Sequence, residues 1–379
     1  NISDKGLSRL PSTDYDVNPD HETPDAIILR SYKLHDYPVP DSLVAVGRAG
    51  AGTNNVPVVK MSEQGIPVFN APGANANAVK ELVIAGMLLS CRNICQAWDY
   101  ARNVEGTAEE QNRAVEDGKK KYVGYELPGR TLGVVGLGAI GVYVANAAIA
   151  LGMRVIGFDP TITVKSAWKM SSEVQEMATI DDLIKQSDFV TFHVPMLEST
   201  NNLLNAKRIE NMKNGAVVLN FARDGVVDDD AVLKALDDGK LGAYVCDFPA
   251  QNLKGHSKVI ALPHLGASTA EAEENCAIMV ADQLKDFLEN GNIHNSVNFP
   301  EIRLARIGDV RLAIANKNLP DMVGQISHVL GQAGVNIQHM SNESRGDLAY
   351  TLMDLDKAID ENALSQIKAI EGVLSARQI

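Results

Sequence analysis

Along this chain, short apolar runs alternate with stretches whose apolar residues recur at helical spacing. The clearest instance begins at Thr131-Leu132-Gly133-Val134-Val135, a continuous apolar strand. It feeds the turn Gly136-Leu137-Gly138-Ala139-Ile140-Gly141, which opens a helix predicted to run through Ala150. A second strand follows over 154–158 and ends on Asp159. Further strands are predicted at 189–193, 216–220, 243–247 and 259–262, with helices at 179–186, 206–212 and 228–237 between them. Strands alternating with helices predict a parallel sheet wound on both faces.

Upstream, residues 26–29, 43–46 and 68–69 read as short buried strands, with a helix over 56–64. The apolar segment 78–94 reads as a helix leading out of this first region, placed at 1–94. The sheet region runs from 95 to 270. A long helix over 269–290 is expected to carry the chain back, so that 271–300 rejoins the first region and the sheet region is inserted into it. The crevice of such an arrangement is where a ligand is expected. The asparagine-rich stretch 291–306 reads as a linker. Beyond it, residues 307–379 carry strands at 311–315, 336–339, 349–354 and 373–377 and helices at 322–332 and 361–369. That βαββαβ order is the ferredoxin-like arrangement.

Composition narrows the class. With 379 residues, 45% hydrophobic and 22% charged, the chain suits two or three globular domains. A formal net charge of −13 argues against a nucleic-acid surface. An anionic substrate therefore needs a local basic pocket. No apolar run approaches membrane-spanning length, and no signal peptide is visible. Cys91, Cys95, Cys246 and Cys276 show neither a paired framework nor zinc spacing, which fits a reducing cytoplasm and no metal. The chain opens on Asn1 rather than methionine, and an opening strand of the first region is expected ahead of it.

The glycine turn has a direct physical reading. Gly136 permits the tight turn, Gly138 lets backbone amides approach a pyrophosphate, and Gly141 lets the helix pack closely. The helix start offers unpaired N–H groups and the positive end of its dipole to phosphates. Asp159 stands where a carboxylate binds the ribose hydroxyls of NAD and repels the extra phosphate of NADP. NAD is thus the expected cofactor. His264, in Leu262-Pro263-His264-Leu265-Gly266, lies beyond a strand end and has the chemistry to take a hydroxyl proton as hydride leaves the same carbon. Arg223, in Asn220-Phe221-Ala222-Arg223-Asp224-Gly225, lies beyond another. A guanidinium fork there suits a carboxylate, although pairing with Asp224 on the surface is an alternative.

Together these stretches resemble the D-isomer-specific 2-hydroxyacid dehydrogenases. The likeness sharpens at Gly47-Arg48-Ala49-Gly50-Ala51-Gly52-Thr53 and Phe69-Asn70-Ala71-Pro72-Gly73-Ala74-Asn75, which are similar to the substrate loops of the branch that oxidises 3-phospho-D-glycerate. The resemblance implies a Rossmann-like sheet inserted in a flavodoxin-like substrate domain, followed by an ACT-type regulatory domain. It implies that Arg48 meets the substrate phosphate beside Gly50, that Asn75 helps hold the substrate, that Arg223 binds the carboxylate and that His264 is the acid/base. It also puts Ala139, Ile140, Val194, Ala222, Arg223, Asp247, His264 and Gly266 on the cofactor. The implied reaction gives 3-phosphohydroxypyruvate and opens L-serine synthesis. Other readings are a reductase of glyoxylate, hydroxypyruvate or another D-2-hydroxy acid, or an NAD-sensing corepressor-like protein without catalysis.

One departure from the family stands out. No acid lies between Asp247 and His264, where the family places the histidine's glutamate partner. Asn252 falls at that position with Gln251 beside it, so an amide is expected to orient the ring, or Asp247 to swing to it. In the last region, Asn318 and Asn336 match asparagines that hold an amino-acid effector, L-serine in many members. Asp321 replaces the usual glycine. Assembly as a homodimer or homotetramer is implied as well.

Overall fold

In the computed structural model, which describes residues 2–379, three short strands come first: β1 (Ala26–Leu29), β2 (Ala45–Arg48) and β3 (Val68–Phe69). They pair in parallel in that order. Their aliphatic residues bury on one side with Leu34, Met61 and Ile66. On the other side the helix Ala270–Asn290 presses so close that a Cβ on Gly47 would overlap Val280.

The chain then builds a seven-stranded sheet: β4 (Thr131–Val135), β5 (Arg154–Phe158), β6 (Gln175–Glu176), β7 (Phe189–Phe192), β8 (Ala216–Asn220), β9 (Leu241–Cys246) and β10 (Val259–Ala261). The order is β10-β9-β8-β7-β4-β5-β6, parallel throughout. β4, β7 and β8 are buried at every position, because helices cover both faces. One face packs on the Ala76–Cys91 and Ala139–Ala150 helices through Val83, Met87, Val144 and Ala148. The other packs on the Ile180–Gln186 and Asp229–Asp237 helices through Leu183, Ile184, Val232 and Leu236.

After the Ala270–Asn290 helix come β11 (Val310–Lys317), β12 (Ile337–Arg345), β13 (Leu348–Leu355) and β14 (Val373–Gln378), with helices Met322–Gln332 and Glu361–Lys368. Their sheet is antiparallel in the order β12-β13-β11-β14, the ferredoxin-like topology. Side chains alternate across β11. Leu312 and Ile314 face the two helices with Ile326, Leu330 and Ile367. Ala313 and Ala315 join Tyr350, Phe287, Phe299 and Phe69 in a second core.

The chain divides into two compact units, Ala76–Thr269 and residues 2–75 with Ala270–Ile379. The boundary precedes the Ala76–Cys91 helix, which the sequence reading gave to the first region as far as residue 94. Val79, Val83, Met87 and Cys91 place it on the seven-stranded sheet instead. A separate helix, Ile94–Arg102, follows after Asn93, which takes a left-handed conformation at φ 52°. The stretch read as a linker is also packed. Asn298 accepts from the Val68 amide at 2.8 Å and donates to Ile66 and Ser62, and Phe299 is fully buried. The asparagine amides there replace missing sheet partners, so the residues that suggested a linker are what fix it.

No helix among the described residues is long and apolar enough to cross a membrane. The four cysteines are free thiols, and none of the described residues cluster as a metal site.

Candidate functional site

The glycine turn joins β4 to the Ala139–Ala150 helix. Gly136 adopts φ +91°, and a Cβ there would come within 2.5 Å of the His193 carbonyl oxygen and 2.9 Å of Val194. Only glycine tolerates both. A Cβ on Gly141 would overlap the Gly136 carbonyl, so the helix's first turn lies directly on the turn that precedes it. Gly138 is the opposite case: no protein atom lies within 4 Å of where its Cβ would stand. It begins the helix without a capping side chain, leaving the first amides, around Ala139 and Ile140, toward open space.

Asp159 closes the unit at the end of β5. Its Oδ2 accepts from the Leu137 amide at 2.8 Å, and its Oδ1 from the Thr161 amide at 2.8 Å. The Thr161 hydroxyl also donates to Oδ1, at 3.2 Å, so three of its roughly four lone-pair sites are used within the protein, and a ribose hydroxyl can take the free site or displace the Thr161 hydroxyl. Open glycine, uncapped helix start and carboxylate fit a dinucleotide such as NAD.

Arg223 follows β8 in the exposed turn after the buried Ala222. Its Nη1 donates to the Ala222 carbonyl at 2.6 Å, and no ion pair to Asp224 occurs among the described residues. The surface-pair alternative is therefore not what the structure adopts. His264 follows β10 in a left-handed conformation, φ +56°, which is costly for a non-glycine residue. Its ring packs on Phe248, with centroids 5.0 Å apart and planes inclined by 57°. Asp247, only 1% exposed at the end of β9, accepts from the Leu265 and Gly266 amides, each at 2.7 Å.

The expected amide partner of His264 is not at the ring. Asn252 donates from Nδ2 to Asp230 Oδ1 at 2.7 Å, on the Asp229–Asp237 helix. Gln251 begins a short 3-10 turn and makes no side-chain bond to the histidine. Asp247 does not swing to the imidazole either, since its oxygens face the loop amides. The physical reason lies in the helix: Asp230, in its first turn, captures the amide.

Sequence reasoning did not single out His193. Its Nε2 lies 3.0 Å from Thr191 Oγ1, its Nδ1 is buried without a partner, and burial pulls it down to about 3. It is neutral at physiological pH. The signal was present in the sequence as a histidine at the end of a central strand.

In the other unit, Arg48 ends β2. A Cβ on Gly50 would overlap the Arg48 guanidinium, so glycine leaves the cation its place. Asn75 is the last residue of this unit's first segment. Asn318 donates from Nδ2 to the Gly346 carbonyl at 3.0 Å, and the Asn336 amide donates to Asp356 Oδ1 at 2.9 Å. Asp321 sits at φ +65° with its carboxylate where a Cβ on Gly324 would stand.

Comparison with known proteins gives a consistent picture. Residues 84–266 match the model of the D-isomer specific 2-hydroxyacid dehydrogenase, NAD binding domain. A D-3-phosphoglycerate dehydrogenase of Haemophilus influenzae is 35% identical over 347 residues, covering 88% of this chain and 81% of that protein. The D-3-phosphoglycerate dehydrogenase of Escherichia coli K12 is 35% identical over 350 residues, covering 89% and 82%. Among solved structures, the apo D-mandelate dehydrogenase of Rhodotorula graminis superposes with a TM-score of 0.63 at 25% identity, covering 72% of this chain and 83% of that one.

Proposed function

This chain belongs to the D-isomer specific 2-hydroxyacid dehydrogenase family, uses NAD, and, we propose, oxidises 3-phospho-D-glycerate at C2 to 3-phosphohydroxypyruvate, reversibly, at the entry to L-serine synthesis. One observation carries the catalytic part of the reading. Arg223, Asp247 and His264 stand at the C-terminal ends of β8, β9 and β10, the same edge of the parallel sheet as the open glycine turn after β4. NAD held at the Gly138 turn and Asp159 would supply the acceptor for the hydride that leaves C2. His264 receives the hydroxyl proton, and Arg223 holds the carboxylate and polarises the ketone in reverse. Arg48 is assigned to the substrate phosphate, and Asn75 to helping hold the substrate. The phosphate assignment rests on Arg48 and on the likeness to the relatives.

Steady-state NADH formation tests this reading. Phosphoglycerate should exceed D-glycerate in kcat/KM by about two orders of magnitude, as a charge-assisted phosphate contact at Arg48 demands. Equal values for the two acids would replace it with the broader 2-hydroxyacid reading. We place the protein in the cytoplasm and expect a homodimer or homotetramer. For the C-terminal module, the Asp321 carboxylate, lying over Gly324 at the start of the Met322–Gln332 helix, favours a structural role there over an effector site. Calorimetry with millimolar L-serine should give a flat trace; heat of binding would restore serine as the effector.

A further inference from the structure

We propose that Asn220 and Asp247 form one coupled positioning device that sets the Arg223 turn and the His264 loop relative to each other, in place of the acidic partner this chain lacks. The inference rests on the dehydrogenase reading above.

Asn220 is the last residue of β8, paired with Cys246 of β9, and Asp247 is the next residue after that strand; both are 1–2% exposed. A buried polar side chain must find partners, and these find theirs in the functional loops. Asn220 Nδ2 donates to the Arg223 carbonyl at 3.0 Å, while its Oδ1 accepts from the Ala222 amide at 3.2 Å. One side chain thus folds the turn that carries the guanidinium. Asp247 grips the other loop through the Leu265 and Gly266 amides, just past His264. The two devices are joined directly: the Asp247 amide donates to the Asn220 carbonyl at 3.1 Å.

This arrangement explains how His264 holds a strained left-handed backbone with no hydrogen-bonded ring partner among the described residues. The carboxylate pins the residues that follow it, and Phe248, next in the chain after Asp247, packs against the ring. Orientation comes from backbone clamping and an aromatic wall. Asp247 therefore acts on His264 through the loop, and Asn220 acts on Arg223 through the turn. Neither needs to touch the substrate. An error of about 1 Å between a cation and a base costs roughly a hundredfold in rate.

The test uses Asn220→Ser, Asp247→Asn and the double variant in the full chain. Three quantities are read: kcat with phosphoglycerate, the Kd for NADH, and hydrogen exchange at the Leu265 and Gly266 amides. We expect each single variant to lower kcat by about a hundredfold, and Asn220→Ser to do so with Kd for NADH changed less than about threefold. The double variant should cost no more than the worse single one, because both errors displace the same pair. Asp247→Asn should also speed exchange at Leu265 and Gly266. Unchanged kcat, fully multiplicative losses, or unaltered exchange at the Leu265 and Gly266 amides in Asp247→Asn would overturn the proposal. If the unmodified protein oxidises no 2-hydroxy acid, the functional reading fails on its own. Exchange then decides this proposal: unaltered protection at both amides in Asp247→Asn rejects it, and lost protection upholds the clamp.

Discussion

Two helix ends in this molecule are treated in opposite ways. The Ala139–Ala150 helix starts on Gly138 with no capping side chain and open space beside it. The Ala270–Asn290 helix ends with its last four carbonyls each taken by an arginine. Arg377 donates to Phe287 and to Leu288, Arg306 to Glu289 at 2.8 Å, and Arg311 to Asn290 at 2.9 Å. Every helix leaves such groups unpaired at its ends, and its dipole favours cations at the C-terminus and anions at the N-terminus. Where the protein answers the need with its own side chains, the end is structural. At the Gly138 end the need is left open beside the Gly136 turn and the Asp159 carboxylate, which suits a phosphate-bearing ligand. The arginines also show why the C-terminal module clusters with residues 2–75: it supplies Arg311 and Arg377 to that helix and shares a core with Phe287.

The closed end gives the largest expected effect. Arg311 and Asp354 are a fully buried pair, bonded at 2.6 and 3.0 Å. Arg311→Met should cost about 3–5 kcal/mol in urea unfolding, because it strands the Asp354 carboxylate. Adding Asp354→Leu should recover much of that, since an apolar pair has no charge to bury. Burial pushes the Asp354 carboxyl up, but bonds from Arg311 and the Ile307 amide outweigh it and hold it below its ordinary value. The carboxyl's contribution to stability is therefore complete above its unfolded value near pH ~4 and is lost as pH falls through the lower folded value. Acid unfolding of Arg311→Met should show a weaker dependence in that range.

The next two predictions sharpen the contrast at the open end. Gly141→Ala puts a methyl into the Gly136 carbonyl and should cost about 1–3 kcal/mol of stability as well as NAD affinity. Gly138→Ala puts the same methyl into open space. Its unfolding midpoint should move little, while Kd for NADH rises by about tenfold, or ~1.4 kcal/mol. If both variants lose stability and affinity alike, the open end is not reserved for a ligand. The smallest effect belongs to Arg306→Gln. Arg306 is exposed, and losing its bonds to Glu289 and Ile379 should cost about 0.5–1.5 kcal/mol.

Much of this was legible in the sequence, and the reasons are local. β4, β7 and β8 announce themselves because a parallel strand buried on both faces is a nearly continuous apolar run, and β5, β9 and β10 carry shorter apolar runs of the same kind. Gly136 and Gly141 are readable because each glycine answers a steric demand that the motif fixes. β12 was seen only in part, over 336–339. It is exposed at most positions, so no alternation marks the rest of it. The helix Ala108–Gly118 was missed, although Thr107 and Glu110 form a capping box at its start. Asn252 misled because position in the chain does not reveal that Asp230 competes for its amide. Asn220 went unremarked because its use is a matter of which loop returns over it. Tertiary partners of that kind leave no trace in spacing.

The central claim is that the Gly138 end of the helix, backed by Asp159, is kept open for NAD. Calorimetric titration of the full chain with NADH and with NADPH tests it most directly. Saturable heat with NADH, and affinity at least about tenfold weaker for NADPH because the Asp159 carboxylate faces its extra phosphate, is the predicted result. Equal affinity for both, or no heat with either, would contradict it.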